Sequence, residues 1–177
     1  MMIFSNTEIE GVYLINIEKF EDERGFFGRS WDNSIFKEKN LNPKLVQCSI
    51  SYNKQKGTIR GMHYQESPYG ETKLVRCTKG SIYDVVVDLR KNSKTYKKWF
   101  GVILDSNKHT QLYIPEGIAH GFQTLEDNSD VFYQISEYHQ PEHYNAVRWN
   151  DPMFNIHWPL QVSCISKKDA NLNDFKL

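Results

Sequence analysis

The stretch Lys73–Arg90, KLVRCTKGSIYDVVVDLR, decides the fold of this chain. The turn residues Lys79–Gly80 lie between two runs, Lys73–Thr78 and Ser81–Leu89, in which apolar residues alternate with others. Such alternation predicts strands, and a short glycine-containing turn between two of them predicts an antiparallel hairpin. The stretch therefore indicates a β-sheet protein.

The same pattern recurs on both sides of this hairpin. Turn residues at Asn53–Gly57, Pro68–Gly70, Pro115–Gly117 and Asp127–Asn128 separate the runs, and only Asp32–Lys39 and the tail near Lys167–Phe175 favour short helices. Many strands at close spacing predict an antiparallel sandwich or barrel, and a barrel of about eight strands can hold one small ligand. The further predicted strands are Gly11–Glu18, Lys44–Ser51, Gly57–Gln65, Lys98–Leu104, His109–Ile114, His120–Leu125 and Val131–Tyr138.

Composition narrows the class of protein. The 177 residues carry 22 Lys+Arg against 22 Asp+Glu, so we expect no partner among nucleic acids or membranes. The start lacks a basic segment and is interrupted by Glu8 and Glu10, and no apolar run has membrane-spanning length, which predicts a cytoplasmic protein. Three cysteines without CxxC spacing predict reduced, packed thiols. No linker or repeat divides residues 1–177, so we predict a single domain.

Strand alternation places some polar residues beside apolar ones. Asp84 and Asp88 share a face of their strand with Ile82 and Val86, which indicates either a polar cavity or a solvated outer face. Lys73 points with Val75 and Cys77, and Tyr133 points with Val131 and Ile135. Polar residues on an apolar face can line the mouth of a pocket.

Two segments resemble the paired motifs of cupins, which are double-stranded β-helix jelly-roll barrels. They are TIRGMHYQ (58–65) and IPEGIAHGF (114–122). Many cupins bind a metal through two histidines of the first motif, a glutamate, and the histidine of the second. Here His63 is followed two residues later by Gln65, and Lys73 occupies the glutamate position. A charged ammonium repels a cation and donates no lone pair, so we expect no metal.

Further motifs extend the resemblance over nearly the whole chain. DERGFF (22–27), KLVRCTKGSIYDVVVDLR (73–90), WNDP (149–152) and SKKD (166–169) occur in order with the cupin motifs. Together they resemble the dTDP-4-dehydrorhamnose 3,5-epimerase family. The resemblance implies an all-β cupin jelly roll with few helices. It also implies a cofactor-independent isomerase of deoxysugar and surface-polysaccharide biosynthesis, which inverts C3, C5 or both in a nucleoside-diphosphate 4-keto-6-deoxy hexose.

The resemblance also implies catalytic roles. His63 would be the base, and the ordinary imidazole pKa of about 6.5 suits proton abstraction near neutrality. Asp169 would bond the far ring nitrogen and fix the tautomer. Lys73 would stabilise the enolate oxygen at C4, and Tyr133 would protonate the carbon from the opposite face.

Family-matched binding residues surround this set. His120 would lie near the sugar, with Asp84 supporting the cavity floor. Cationic side chains would grip the diphosphate, because guanidinium binds phosphate oxygens in pairs. The expected ligand contacts are Arg24, Arg60 and Lys168 for the diphosphate, and Gln47, Phe27 and Tyr138 for the base or sugar.

Three positions depart from the family pattern. Arg29 and Tyr144 each replace a ligand-contacting glutamate, and Ser49 replaces an asparagine. Since the proton-transfer set is intact, we expect the chemistry to be kept, while the nucleotide (dTDP, CDP, GDP or UDP) and the number of inverted carbons stay open. The resemblance further implies a homodimer in which N-terminal residues such as Phe27 reach the partner's site. Other hypotheses are a single-centre epimerase, a sugar-nucleotide 3,4-ketoisomerase and a non-catalytic sugar-binding cupin.

Overall fold

The strands of the chain, described for residues 2–176 in a computed structural model, pack as two antiparallel sheets with a small separate hairpin. The strands are β1 (Met2–Asn6), β2 (Tyr13–Ile17), β3 (Phe20–Asp22), β4 (Gly25–Phe27), β5 (Gln47–Asn53), β6 (Thr58–Gln65), β7 (Lys73–Lys79), β8 (Ser81–Asp88), β9 (Trp99–Asp105), β10 (Gln111–Ile114), β11 (Ile118–Thr124), β12 (Ser129–Ile135), β13 (Tyr144–Ala146) and β14 (Cys164–Ile165). The helices are α1 (Asn33–Glu38) and α2 (Lys167–Ala170).

The two sheets form the walls of a barrel. Sheet I has the strand order β1-β2-β10-β7-β12-β5, and sheet II has the order β13-β6-β11-β8-β9, with β14 pairing parallel to β6. Neighbours in both strand orders pair antiparallel, and β3 pairs with β4 as a hairpin. This architecture confirms the predicted all-β jelly roll.

The core lies between the two sheets. Val75 and Val131 from sheet I meet Ile82, Val86 and Phe122 from sheet II, and all are almost fully buried. Lys73 and Tyr133 lie on these inward faces, as the alternation predicted, because side chains two positions apart share a face. The interior therefore carries polar groups among apolar ones.

Strand β8 is buried on both faces, which decides between the two interpretations of Asp84. Its outward residues Val85 and Val87 pack beneath the C-terminal segment through Phe154 and Ile156. Asp84 points inward and is 0% exposed, so the solvated-face interpretation is wrong.

Asp88 does not line the cavity as the alternation suggested. It is also 0% exposed, but its carboxylate accepts hydrogen bonds from Arg90, Ser93 and Thr95. Asp88 therefore orders the loop that follows β8.

Helix α1 covers part of the outer face of sheet I. Asp32 caps it by accepting from the backbone N–H groups of Ser34 and Ile35 at 3.0 and 3.3 Å. Phe36 is buried, and its ring centroid lies 5.8 Å from that of Tyr113.

The tail differs from the prediction of a helix near Lys167–Phe175. Helix α2 ends at Ala170, and the following residues run without helical hydrogen bonds. The Phe175 N–H donates to the buried carboxylate of Asp151, and the Phe175 ring packs 5.4 Å from Phe154. These tertiary contacts favour an extended tail over a longer helix.

None of the helices within residues 2–176 combines the length and apolar character needed to cross a lipid bilayer.

Candidate active site

A cavity of about 680 Å³ opens between the two sheets. Its walls are built from strands of both sheets and from α2, and they bring together most of the residues that the sequence singled out. Those residues are Gln47, Ser49, Arg60, His63, Lys73, His120, Tyr133, Tyr144, Lys168 and Asp169. The volume suits a small organic ligand.

The close approach of β6 and β11 places two imidazoles side by side. His63 and His120 are partners across the strands, and the register then shifts between His120 and Phe122. Glycine permits this contact: a Cβ on Gly61 would lie 2.4 Å from the Gly121 Cα, and one on Gly121 would lie 2.7 Å from the Arg60 carbonyl oxygen. The bulge directs both histidines toward the cavity.

His63 is held by Asp169 from helix α2. The ring Nε2 donates to Asp169 Oδ1 at 2.8 Å, with side-chain exposures of 22% for His63 and 7% for Asp169. Burial alone would raise the pKa of Asp169, but hydrogen bonds from His63, Ser166 and the Gly61 backbone hold it below its ordinary value. Within residues 2–176, Nδ1 of His63 has no hydrogen-bond partner, so this nitrogen is available to a ligand.

A second imidazole–carboxylate pair lies behind the cavity wall. His120 Nε2 donates to Asp84, with distances of 3.0 and 2.9 Å to the two carboxylate oxygens. Asp84 therefore supports the wall rather than lining it, as predicted for a floor residue. The His120 ring meets the ring of Tyr133 edge-on at 5.9 Å.

Tyr133 projects from sheet I and keeps partial exposure toward the cavity. Burial, followed by the nearby Asp84 carboxylate, raises the pKa of Tyr133 well above its ordinary value. Its phenol therefore remains protonated throughout the neutral range. His63 and Tyr133 consequently reach the same cavity from opposite sheets.

Lys73 carries a positive charge into this space. Its Nζ donates to Glu71 Oε1 at 2.8 Å and to the His63 carbonyl oxygen at 3.1 Å, and both Lys73 and Glu71 side chains are 8% exposed. The lysine thereby crosses from β7 of sheet I to β6 of sheet II.

Two further cations border the cavity. Arg60 is an exposed residue whose Nε donates to Asn53 Oδ1 at 2.7 Å. Lys168 Nζ lies 5.0 Å from the ring centroid of Tyr144. Tyr144 in turn packs 5.3 Å from the His63 ring, so it stands between the cationic rim and the imidazole.

Four predicted ligand contacts lie outside this cavity. Arg24 pairs with Asp22 on the β3–β4 hairpin, and Phe27 of the same hairpin is 73% exposed. Arg29 bonds Asp32 at the start of α1. Tyr138 is 57% exposed because the chain leaves sheet I after Ile135.

The cavity also contains residues that the sequence reasoning missed. Glu71, His139 and Cys164 all line it. Glu71 lies two residues before Lys73, the spacing that places side chains on one face of an extended chain, and this signal was available. Nothing local in the sequence pointed to His139 or Cys164.

In the described part of the chain, residues 2–176, no group of three or more His, Cys, Asp or Glu side chains is placed to hold a metal ion. The cavity wall carries imidazole, phenol and ammonium groups, among them those of His63, Tyr133 and Lys73. This set can move a proton and stabilise a developing oxyanion.

Comparison with known proteins identifies the family. Residues 6–176 match the family model described as dTDP-4-dehydrorhamnose 3,5-epimerase. The dTDP-4-dehydrorhamnose 3,5-epimerase of Shigella flexneri is 41% identical over 170 residues, covering 96% of this chain and 93% of the relative.

Two solved structures share the fold. The Bacillus anthracis dTDP-4-dehydrorhamnose 3,5-epimerase, with TDP and PPi bound, has a TM-score of 0.95 and 39% identity, covering 99% of this chain and 100% of that one. The Legionella pneumophila dTDP-6-deoxy-D-glucose-3,5-epimerase, in complex with dTDP-4-keto-L-rhamnose, has a TM-score of 0.89 and 39% identity, covering 96% and 90%. The chain belongs to the dTDP-4-dehydrorhamnose 3,5-epimerase family.

Proposed function

We propose that this isomerase inverts C3 and C5 of a dTDP-linked 4-keto-6-deoxy hexose, with His63 as base and Tyr133 as acid. The proposal rests on one observation: His63 lies on sheet II, Tyr133 lies on sheet I, and both line the same cavity. An inversion needs a base on one face of the carbon and an acid on the other.

The proposed reaction proceeds through an enolate. His63 removes the proton on the carbon next to the ketone, and the C–H electron pair moves into the enolate with its charge on the C4 oxygen. The Lys73 ammonium stabilises that charge. The Tyr133 phenol then donates its proton to the carbon from the opposite face, and exchange with water restores both groups. Each acid–base group supplies about 10²–10⁴-fold of the rate.

The raised pKa of Tyr133 supports its role as the acid. A phenol that stays protonated in the neutral range donates only when negative charge develops beside it. Asp169 supports His63 by stabilising the imidazolium that forms after proton removal.

The nucleotide part of the proposal rests on the cationic rim and on relatives. Arg60 and Lys168 border the cavity, where a diphosphate needs positive charge. The B. anthracis relative holds TDP and PPi, and the L. pneumophila relative holds dTDP-4-keto-L-rhamnose. We therefore favour dTDP over CDP, GDP and UDP.

Incubation with dTDP-4-keto-6-deoxyglucose in D₂O tests the reaction. The proposal predicts one solvent deuteron at C3 and one at C5, with dTDP-4-keto-L-rhamnose as product. A deuteron at one carbon alone would establish a single-centre epimerase. Migration of the carbonyl would establish a 3,4-ketoisomerase, and tight binding without exchange would establish a non-catalytic sugar-binding protein.

We also propose a homodimer formed through the open part of the outer face of sheet I. Ile50 is 71% exposed and Tyr52 48% exposed on edge strand β5. Beside them, Arg76 stacks over Phe132 at 5.2 Å, and its buried Nε has no hydrogen-bond partner within residues 2–176. An apolar edge with an unpaired buried donor favours a covering partner.

In such a dimer, the exposed hairpin β3–β4 would carry Arg24 and Phe27 toward the partner's cavity, and Arg29 lies just beyond it. Analytical ultracentrifugation tests the assembly. The wild-type chain should sediment at twice its 20.9 kDa mass, whereas Ile50→Glu should shift it to the monomer. A monomeric wild-type chain would contradict the proposal.

We further propose that residues 1–177 act as one domain in the cytoplasm. Cys77 is buried, whereas Cys48 and Cys164 are exposed, so the prediction of packed thiols is wrong for those two; free thiols suit a reducing compartment.

A further inference from the structure

The carboxylate of Glu71 is a buried charge in the cavity that the reaction above does not use. Its side chain is 8% exposed and lines the same wall as Lys73. Tyr144 lines the same cavity, and burial followed by the charges of Glu71 and Asp169 raises the pKa of its phenol. A carboxylate beside a developing enolate is unfavourable unless it serves another purpose.

The backbone that follows Glu71 is held by two hydrogen bonds. The Thr72 N–H donates to Ser136 Oγ at 2.8 Å, and the Thr72 carbonyl accepts from the Ser136 N–H at 3.0 Å. On the other side, Gly70 lies beside the exposed side chain of Glu116. Glu71 is therefore followed directly by a residue whose backbone is hydrogen-bonded at both its N–H and its carbonyl.

The hydrogen bonds of Lys73 show what this carboxylate does. An ammonium has three N–H donors. One points to Glu71 Oε1 at 2.8 Å and a second to the His63 carbonyl oxygen at 3.1 Å. Within residues 2–176 no acceptor takes the third, and the lysine side chain borders the cavity. Two fixed acceptors determine the direction in which the third donor points.

We propose that Glu71 is a positioning residue: it orients the Lys73 ammonium so that the remaining N–H is directed at the C4 oxygen of the substrate. The inference rests on the proposed function. It assigns Glu71 a role through its acceptor oxygen, since the ammonium needs a fixed partner to be held in one direction. A displacement of a reacting group by about 1 Å can cost about 10²-fold in rate.

Two substitutions distinguish the effect of the acceptor oxygen from the effect of side-chain volume. Glu71→Gln keeps an oxygen that can accept from Lys73, whereas Glu71→Met has similar length and no acceptor. We expect Glu71→Met to lower kcat by about 10²-fold with little change in KM, because the contact to the C4 oxygen strengthens as the enolate forms. Glu71→Gln should retain most of kcat.

The matched control is Glu137→Met. Glu137 also pairs with a lysine at 2.8 Å, Lys44, but neither residue lines the cavity. Its replacement should leave kcat unchanged.

A double-mutant cycle distinguishes positioning from a merely structural role. If Glu71 acts through Lys73, then Glu71→Met should cause no further loss of kcat in a Lys73→Met background. A full additional loss in that background would overturn the inference, as would equal losses in Glu71→Gln and Glu71→Met.

A spectroscopic measurement tests the inference without the substrate. In ¹H–¹⁵N spectra of lysine-labelled protein, a held and shielded ammonium gives a slowly exchanging Nζ signal that Lys73→Met removes. The signal should persist in Glu71→Gln and be lost in folded Glu71→Met. Its persistence in Glu71→Met would overturn the inference, whereas absent isotope exchange in the wild type would overturn the proposed function alone.

Discussion

Replacing Asp169 with asparagine measures how much the carboxylate charge stabilises the proposed base, His63. The substitution keeps the shape of the side chain at the 2.8 Å contact with His63 Nε2, but it removes the negative charge. In the proposed reaction His63 becomes an imidazolium when it takes the substrate proton. Asp169→Asn therefore leaves that positive charge without its partner in a largely buried pair.

The size of the effect follows from the geometry. Two opposite unit charges about 4 Å apart interact by about 4 kcal/mol at an effective dielectric constant of about 20. The asparagine dipole retains part of this interaction, so we expect a loss of about 3 kcal/mol, which corresponds to about 10²-fold in kcat. The effect should fall on kcat more than on KM, because the charge appears only during the reaction.

Steady-state rates with dTDP-4-keto-6-deoxyglucose measure this loss. Asp174→Asn is the matched control, since that carboxylate lies in the same C-terminal segment but pairs with Arg148 outside the cavity. The control should keep wild-type kcat. A folded Asp169→Asn protein with kcat within about threefold of wild type would refute the role given to Asp169.

Three further outcomes follow from the same contacts. The pKa of Asp169 is lowered in the folded chain. This carboxylate therefore stabilises the fold above its unfolded pKa of about 3.9, and the stabilisation is lost as pH falls through the lower folded value. Urea titrations should show that the difference in unfolding free energy between wild type and Asp169→Asn disappears in that acidic range. Gly121→Ala would place a Cβ 2.7 Å from both the Arg60 carbonyl oxygen and Met62 Sδ. Calorimetry should show that the free energy of unfolding falls by about 1–3 kcal/mol. An unchanged Tm would contradict the inference that β6 and β11 need glycine at this point. Arg60→Gln should weaken dTDP binding, measured by isothermal titration calorimetry, by about tenfold or more without affecting the folded state. Equal dTDP affinities of the wild type and the variant would show that Arg60 does not bind the diphosphate.

The sequence pattern predicted the inward-facing residues well because strand alternation fixes them locally. Lys73 and Tyr133 were correctly placed on apolar faces, since each shares its face with residues two positions away. Alternation also predicted that Asp84 and Ile82 share a face. That this face is the interior became clear only from the C-terminal segment, which covers the opposite face of the strand.

Contacts between distant segments could not be predicted from local pattern. His63 and Asp169 are 106 residues apart, and Asp169 reaches His63 because β14, directly before α2, pairs with β6. Only the family resemblance proposed that pair. The bulge after His120 is likewise a property of two strands together, because it depends on the mutual approach of two glycines.

Surface positions were the least predictable part of the site. Tyr138 was expected beside the base, but the strand ends at Ile135 and the side chain turns outward. Arg24 and Phe27 lie on the exposed hairpin β3–β4, which in the proposed homodimer would approach the partner's cavity. The alternation pattern of one chain would not encode a contact between two copies of that chain.

Isotope exchange in a Tyr133→Phe variant tests most directly whether base and acid act from opposite walls. In D₂O this variant should still exchange the C3 and C5 protons of dTDP-4-keto-6-deoxyglucose through His63, but with retained configuration, because the donor on the far face is gone. His63→Ala should abolish exchange altogether. Inverted product from Tyr133→Phe at the wild-type rate, or full exchange by His63→Ala, would contradict the account.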